Sequence, residues 1–427
     1  TFRPRLAAPK AGYPLAMSCM RQGLGFRYPC KQGVLMNILK VVSLGLVMLL
    51  SGCDWLEFNA LKLYLHFNQN LTMEDGVSYF ESGNKIYSVS AAYEGLEFPW
   101  DVAFIDEETI LVTEKPGRLS KIDLASATST LISGVPEVSF KGQGGLLGVE
   151  LHPEFSSNRI LYLSYTAQPK AGENQIQLLR AKLVGNSLEN PEVLFRALPI
   201  VDGMSNLGGA LLVDSKNHHV YLSVGEHQSR ENLQSKNSHL GTIVRLNDDG
   251  SIPGNNPFFG DSFAKQQIYS YGHRNPQGMS IDPNTGAIWA SEHGPKDGDE
   301  LNIIRPGRNY GWPVVSYGSE YDDTPFSRTT DEFEAEEPMY FYTPAIAPAG
   351  LLFYSGNEYP EWNNHLLIGS LIGTHINLMG FVNGKLVEKD RLLDDLTMRV
   401  RSVNLSPAGK LLILTENGIL LRIETRT

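Results

Sequence analysis

The sequence predicts an all-β fold, a six-bladed β-propeller, and three observations carry that prediction. One hairpin grammar recurs six times: an alternating apolar run, a turn with Asp, Pro, Asn or Gly, then a second apolar run ending in Ser, Thr or Glu. The repeats begin at residues 102, 149, 211, 280, 351 and 403, at intervals of 47 to 71 residues, which leaves room for two further strands in each. Composition agrees: 41 Gly and only 19% charged residues in 427 describe a turn-rich globular chain rather than a helical bundle or a disordered one.

The first hairpin joins Val102–Phe104 to Ile110–Glu114, the second Val149–Pro153 to Ile160–Ser164, and the third Leu211–Asp214 to Val220–Ser223. The fourth joins Ser280–Pro283 to Ile288–Glu292, the fifth Leu351–Phe353 to Leu366–Ser370, and the sixth Val403–Pro407 to Leu411–Glu416. Period-two alternation is what a strand with one face toward a core requires. Two unrelated β-sandwiches are the competing architecture, and six copies of one grammar argue against them. No linker rich in Pro, Gly or Ser divides the body, so residues 85–427 read as one domain. The long insertions 225–268 and 305–345 are expected to form loops over one face, where propellers place their sites.

The amino terminus reads differently. Residues 1–35 carry Arg3, Arg5, Lys10, Arg21, Arg27 and Lys31, contain no acid and show no periodicity; they read as an upstream extension before a start at Met36. A short basic stretch, an apolar run from Val41 to Leu50 and the ending Leu50–Cys53 (LSGC) make a secretory signal over 36–52. That ending resembles the lipobox of bacterial lipoproteins, which implies a lipid anchor through Cys53 and an anchor-and-spacer segment over 53–84. The uncleaved signal anchor is the alternative. With Cys19 and Cys30 upstream and Cys53 acylated, no disulfide is available to the body. The expected location is periplasmic, lipid-anchored to a bacterial membrane, and Asp54 after the Cys points to the inner one.

Charge narrows the partners. The chain holds 36 Lys+Arg against 47 Asp+Glu; without residues 1–52 the count is 29 against 47, a net charge of −18. A nucleic-acid partner is excluded on this ground, because phosphate-backbone binding needs clustered positive charge. No stretch reaches the roughly 18 apolar residues of a membrane-spanning helix.

Chemistry concentrates in a few segments. They are Gly142–Gly148 (GQGGLLG), Ser270–Gly278 (SYGHRNPQG), Ser291–Glu300 (SEHGPKDGDE), Asn309–Pro313 (NYGWP) and the pair Arg399 and Arg401. Singly each is weak, since a Gly-rich turn is usually only a turn. In this order on these repeats, from about Gly95 to Arg422, they closely resemble the soluble quinoprotein aldose dehydrogenases (glucose/sorbosone type). Those are six-bladed propellers that use pyrroloquinoline quinone (PQQ) and calcium. The resemblance implies cofactor contacts for Gln143, Arg274, Asn275, His293, Tyr321, Arg399 and Arg401. It implies calcium ligands at the Gly294 and Pro295 carbonyls, and a second, structural calcium at Glu300 and Tyr310. Guanidinium forks suit a planar tricarboxylate, and calcium prefers hard oxygen donors, so the chemistry agrees. Asp297, Asp299 and Glu300 taken alone read equally well as solvated loop charge.

The departures fall at the catalytic base. The family's His lies in a His-x-Gly-Gly-Arg stretch, whereas this chain reads Ser205–Ala210 (SNLGGA), with Asn206 at the base position and Ala210 at the Arg. A neutral amide accepts no proton. Glu226, the acid that orients the base, is present, and His227 or His239 is a candidate surrogate base. Ile372 stands where many relatives have a cofactor-binding Lys. His152 reads as the cap of a hairpin turn. The implied function is oxidation of an aldose at C1 to its lactone, slow or altered, with electrons passed to a membrane acceptor. The alternative is a non-catalytic propeller that binds a quinone or a carbohydrate.

Overall fold

The computed structural model describes residues 77–231, 233–326 and 333–425. The extension (1–35), the signal segment (36–52) and the Cys53 anchor lie outside the described residues. Among the described residues no helix is long and apolar enough to cross a membrane.

Strands β1 (Val77–Ser82) and β2 (Lys85–Glu94) come first, joined by a two-residue turn in which Gly83 takes φ +60°. Blade 1 follows as β3 (Pro99–Phe104), β4 (Thr109–Glu114), β5 (Arg118–Asp123) and β6 (Thr128–Leu131). Blade 2 is β7 (Leu146–Leu151), β8 (Ile160–Ala167), β9 (Gln175–Val184) and β10 (Ser187–Arg196). Blade 3 is β11 (Gly208–Asp214), β12 (His219–Val224), β13 (Thr242–Asn247) and β14 (Ile268–Tyr271). Blade 4 is β15 (Pro276–Ile281), β16 (Ile288–Glu292), β17 (Asp299–Ile304) and β18 (Tyr340–Tyr342). Blade 5 is β19 (Pro348–Tyr354), β20 (His365–Ser370), β21 (Ile376–Val382) and β22 (Lys385–Leu392). Blade 6 takes β23 (Val400–Leu405), β24 (Leu411–Thr415) and β25 (Ile419–Thr425), then β2 and β1 from the other end of the described chain.

The six predicted hairpins are the first two strands of the six blades, in order. All strands within a blade pair antiparallel. The inner strands β3, β7, β11, β15, β19 and β23 each pack on the next, and β23 returns to β3, so they ring one axis. Second strands are buried nearly throughout, as in β4, β12, β20 and β24.

Hydroxyls stitch blades 1 to 4 each to the next. Ser164 Oγ donates to Gly209 O (2.6 Å), Ser223 Oγ to Pro276 O (3.0 Å) and Ser291 Oγ to Ala349 O (2.7 Å), while Thr113 Oγ1 donates to Leu147 O. Each bond runs from a second strand to the inner strand of the following blade, satisfying a carbonyl that faces out of its own ladder. At the corresponding place in blade 5 stands Gly369, where a Cβ would meet Val400 O at 2.8 Å.

The ring closes where β2 pairs with β25, from Tyr87↔Thr425 to Glu94↔Ile419. Aromatic packing backs that ladder. Tyr87 lies 4.5 Å and Tyr359 4.8 Å from the Trp362 ring, and Tyr359 Oη donates to Ile423 O (2.6 Å). Each such buried ring contributes about 1.5–3 kcal/mol. The sheet thus begins at Val77 and not at 85, inside the segment read as spacer. The spacer reading fails there because β1 hangs on β2, whose other partner β25 lies at the far end of the chain, and β1 shows no clean alternation of burial.

Candidate active site

Every blade brings the exit of its second strand back beside the entrance of its inner strand, and one exit side chain grips that entrance in all six. Glu114 Oε2 accepts from Glu97 N–H (2.6 Å), Thr166 Oγ1 from Gly145 N–H (2.7 Å) and Glu226 Oε1 from Asn206 Nδ2 (2.8 Å). Glu292 Oε2 accepts from Arg274 N–H (3.0 Å), Ser370 Oγ donates to Ile346 O (2.8 Å), and Glu416 Oε2 accepts from Arg399 Nε (2.7 Å). In four blades the gripping residue is the Glu or Ser that ends the repeat (Glu114, Glu292, Ser370 and Glu416); in blades 2 and 3 it lies two or three residues further on, at Thr166 and Glu226.

Blades 2 to 4 build one flank of the site. Asn206 is buried at φ +55°; its N–H donates to Gln143 Oε1 (2.7 Å) while its amide nitrogen points at Glu226. Asn is among the residues that tolerate this left-handed setting. Glu226 Oε2 accepts from Trp312 Nε1 (2.6 Å), and Arg274 Nε lies 3.9 Å from Oε1. Gly225 allows this closeness, since a Cβ there would sit 1.9 Å from Asn206 O. Ala210 is buried in the core, its N–H donating to Ser223 Oγ (2.9 Å). Gln143 is exposed on this face, so its amide nitrogen is open to a ligand.

The histidines separate into two kinds. His227 is tied to Asn206 through its main-chain N–H, which donates to Asn206 O (3.0 Å). Its ring is buried with neither nitrogen hydrogen-bonded, and burial holds its pKa down to about 4, so it is neutral at pH 7. His239 is structural: Nδ1 accepts from Leu198 N–H (3.0 Å) and the ring meets Phe195 edge-on at 4.8 Å. His152 caps the β7–β8 turn as expected, its Nδ1 accepting from Glu154 N–H (3.0 Å).

Blades 4 to 6 build the opposite flank. Asn275 Oδ1 accepts from Gly208 N–H (3.0 Å) and from Gln277 Nε2 (3.0 Å), and Gln277 Oε1 accepts from Arg401 Nη2 (2.9 Å). Arg401 is buried over the Trp100 ring (4.6 Å), with Glu416 Oε1 at 3.8 Å. Arg399 Nη1 donates to Leu371 O (3.1 Å). Burial alone would raise the Glu416 pKa, but Arg399 and Arg401 outweigh it and hold the carboxyl below its usual range. His293 Nε2 donates to Pro348 O (2.9 Å), leaving Nδ1 beside the Asn275 amide (3.4 Å). Burial, then Arg274 and Arg401, push its pKa to about 3, so it positions Asn275 as a neutral ring. The Nε atoms of Arg274 and Arg401 are buried without a hydrogen-bond partner.

The metal expectations divide. Arg274 Nη1 donates to Gly294 O (2.6 Å) and to His293 O (3.3 Å), so a guanidinium already faces the carbonyl assigned to calcium, with Pro295 next in the loop. That arrangement does not fit a metal there as it stands. The second site fits better. Asn302 Nδ2 donates to Glu292 Oε1 (2.9 Å) and Glu300 Oε2 (3.1 Å), and Asn302 Oδ1 is buried without a partner. A cavity of about 10 Å³ adjoins these carboxylates and Tyr310, room for one ion or water. Burial, then the Glu292 charge, raise the Glu300 pKa well above its usual range. A buried carboxylate (Glu292) beside a half-buried one (Glu300) makes a donor set that suits a hard ion. The Tyr310 hydroxyl, however, donates to Ile303 O (2.6 Å) and accepts from Arg305 N–H (2.8 Å), so only its main-chain carbonyl can serve as a ligand.

Tyr321 makes no hydrogen bond to the cluster among the described residues; it is 72% exposed in the loop after β17, within reach of the Arg230 charge. Three residues escaped the sequence reading: Trp312, Glu416 and Lys115. The first two had a usable signal, the NYGWP segment and the recurrent terminal Glu.

Fold and site together define a six-bladed propeller with a cation-rich cup at the strand ends around its axis. A family model described as Glucose / Sorbosone dehydrogenase matches residues 96–422, and the chain belongs to that family. It is 35% identical over 346 residues to the aldose sugar dehydrogenase YliI of Escherichia coli, covering 79% of this chain and 93% of that one. The crystal structure of the soluble aldose sugar dehydrogenase from E. coli in the apo-form superposes with a TM-score of 0.76 at 33% identity, covering 80% of this chain and all of that one. The PQQ-bound aldose sugar dehydrogenase from Streptomyces coelicolor matches with a TM-score of 0.64 at 27% identity, over 80% and 98% of the two chains.

Proposed function

We propose that the protein is a PQQ-dependent aldose dehydrogenase whose proton-abstracting position has been altered. The observation that carries the reading is the cup itself: Gln143, Arg274, Asn275, Arg399 and Arg401 converge at the strand ends through an unbroken run of contacts, and two guanidinium nitrogens are left unpartnered. Such orphaned donors suit an anionic, planar ligand. The family and the PQQ-bound relative support the same assignment. When bound, PQQ supplies a two-electron acceptor for oxidation of a sugar at C1.

The chain's own residues bind and orient. Arg399 and Arg401 would hold carboxylates, and Arg274 and Asn275 the opposite edge of the ring system, with His293 keeping Asn275 in place. Gln143 would face the sugar. Asn206 accepts no proton, because its amide is neutral and its nitrogen is turned to Glu226. His227, neutral at pH 7 and bonded through its main chain to Asn206, would serve as surrogate acceptor only with its ring, whose nitrogens are both enclosed here, turned toward the cup. The Glu292–Glu300 cavity would hold a structural calcium; no step is assigned to a metal at Gly294.

Reconstitution tests the reading. With calcium present, PQQ absorbance should titrate to one equivalent per chain; absence of binding at micromolar PQQ would remove it. The silent amide at 206 favours a second reading, a quinone- or carbohydrate-binding propeller, and binding without turnover would select it. The lipid anchor at Cys53, the periplasmic location and the membrane electron acceptor belong to the same proposal. Labelled fatty acid should be incorporated by the wild type and not by Cys53→Ser.

A further inference from the structure

The cup holds one more cation than the family resemblance assigns. Lys115 directly follows Glu114, the gripping residue of blade 1, so it occupies the register that His227 holds in blade 3 and His293 in blade 4. The main chain confirms the equivalence. Lys115 N–H donates to Phe98 O (3.0 Å), His227 N–H to Asn206 O (3.0 Å) and His293 N–H to Asn275 O (3.2 Å), each to a residue just ahead of its inner strand. Because β23 packs on β3, this place on blade 1 borders the Arg399–Arg401 flank of blade 6. Lys115 is partly buried, and its charge interacts with Glu416, Arg401 and Arg399.

Charge counting shows why this matters. Three cations, Lys115, Arg399 and Arg401, share one carboxylate, Glu416, and both oxygens of Glu416 are turned to the arginines. Among the described residues no hydrogen bond or ion pair engages the Lys115 ammonium. Burial, and then the two guanidiniums against the pull of Glu416, lower its pKa, which marks a cation held where it lacks an anion. Ile372, beyond Leu371 on the other side of Arg399, is 65% exposed and brings no charge.

We propose that Lys115 is a ligand-binding residue that pairs with a carboxylate of the anionic cofactor, completing a three-cation clamp with Arg399 and Arg401. This rests on the PQQ reading above. A point-charge ammonium on a flexible stem suits the role, since it needs no bidentate geometry.

The test is PQQ binding followed by absorbance and tryptophan quenching, with calcium and without sugar. Wild type should bind, Lys115→Met should bind roughly 10- to 100-fold more weakly, and Lys115→Arg should stay within about threefold of wild type. The salt dependence of binding should be shallower for Lys115→Met. Adding Ile372→Lys to Lys115→Met should recover part of the loss, which a merely structural defect would not allow. Independently of any variant, saturating PQQ should slow reductive methylation of Lys115 in the wild-type protein. Equal affinity of wild type and Lys115→Met, or methylation indifferent to PQQ, overturns the proposal. Wild type that binds no PQQ sinks the earlier reading instead, and this one with it.

Discussion

The two flanks of the cup are built alike and differ in what they present. On both, a glutamate at a second-strand exit grips the residue entering the inner strand: Glu416 holds Arg399, and Glu226 holds Asn206. The blade 6 flank presents two arginines: Arg401, buried over Trp100 and bonded to Gln277, and Arg399, half-buried on Glu416. The blade 3 flank presents a neutral amide to its glutamate. In the function proposed above, cofactor binding and proton transfer fall to different blades, so that a change in one need not disturb the other.

Removing the binding flank should have the largest effect. Arg401→Met takes away a buried charge from Glu416 and Gln277 together, and PQQ affinity should fall at least 100-fold, read by absorbance titration. Affinity within tenfold of wild type would mean that the flanks do not divide the labour in this way. Restoring the other flank comes next. Asn206→His puts an imidazole where Glu226 can hold its tautomer, and dye-linked aldose oxidation should rise at least about tenfold. A wild type already turning over at about 10 per second would show that another base operates; His227→Ala should then cripple it.

The proposed calcium site behind the blade 4 flank offers a smaller effect. Calcium should raise the melting temperature by several degrees, and Glu300→Gln should abolish that rise by relieving the Glu292–Glu300 repulsion that the ion offsets. Equal calcium stabilisation in the variant would place the ion elsewhere. The smallest effect concerns the axis below the cup. Burial lifts the Asp101 pKa to about 7, despite N–H donors from Val149 and Val102, and burial with the Asp101 charge lifts Glu150 to about 8. Both folded values lie above the unfolded ones, so the folded state binds more protons between about pH 4 and 8. Stability from these groups is present at low pH and is lost as pH rises through that window. The melting temperature should fall by roughly 2–5 °C between pH 5 and 8.5, less steeply in Glu150→Gln, and a rising trend would contradict the assignment.

The blades were legible because the first two strands of each are buried on both faces and so write continuous or alternating apolar runs. Outer strands do not: β6 is exposed along its whole length, and β1 shows no regular pattern. The joining of β2 to β25 links two ends of the described chain, which no local pattern records. At the site, residues with strong local motifs, Arg274, Asn275 and Gly294, were found in one cluster. Tyr321 was assigned by resemblance alone and lies exposed, since its position in a long insertion is not fixed by strand register. Lys115 went unseen because its meaning comes from a neighbour on another blade.

The grip at each strand entrance also bears on how this protein can change. Glu97, Gly145, Asn206, Arg274, Ile346 and Arg399 are residues of five types, each held by a hydrogen bond with the exit side chain of its own blade. Three of the six contacts, at Glu97, Gly145 and Arg274, use only the main-chain N–H of the gripped residue and are blind to its side chain. The ring therefore behaves as a turret of sockets, in which a tool can be exchanged without remaking the mount. At Asn206 and Arg399 the grip is made by the side chain itself, so an exchange there changes the mount together with the tool.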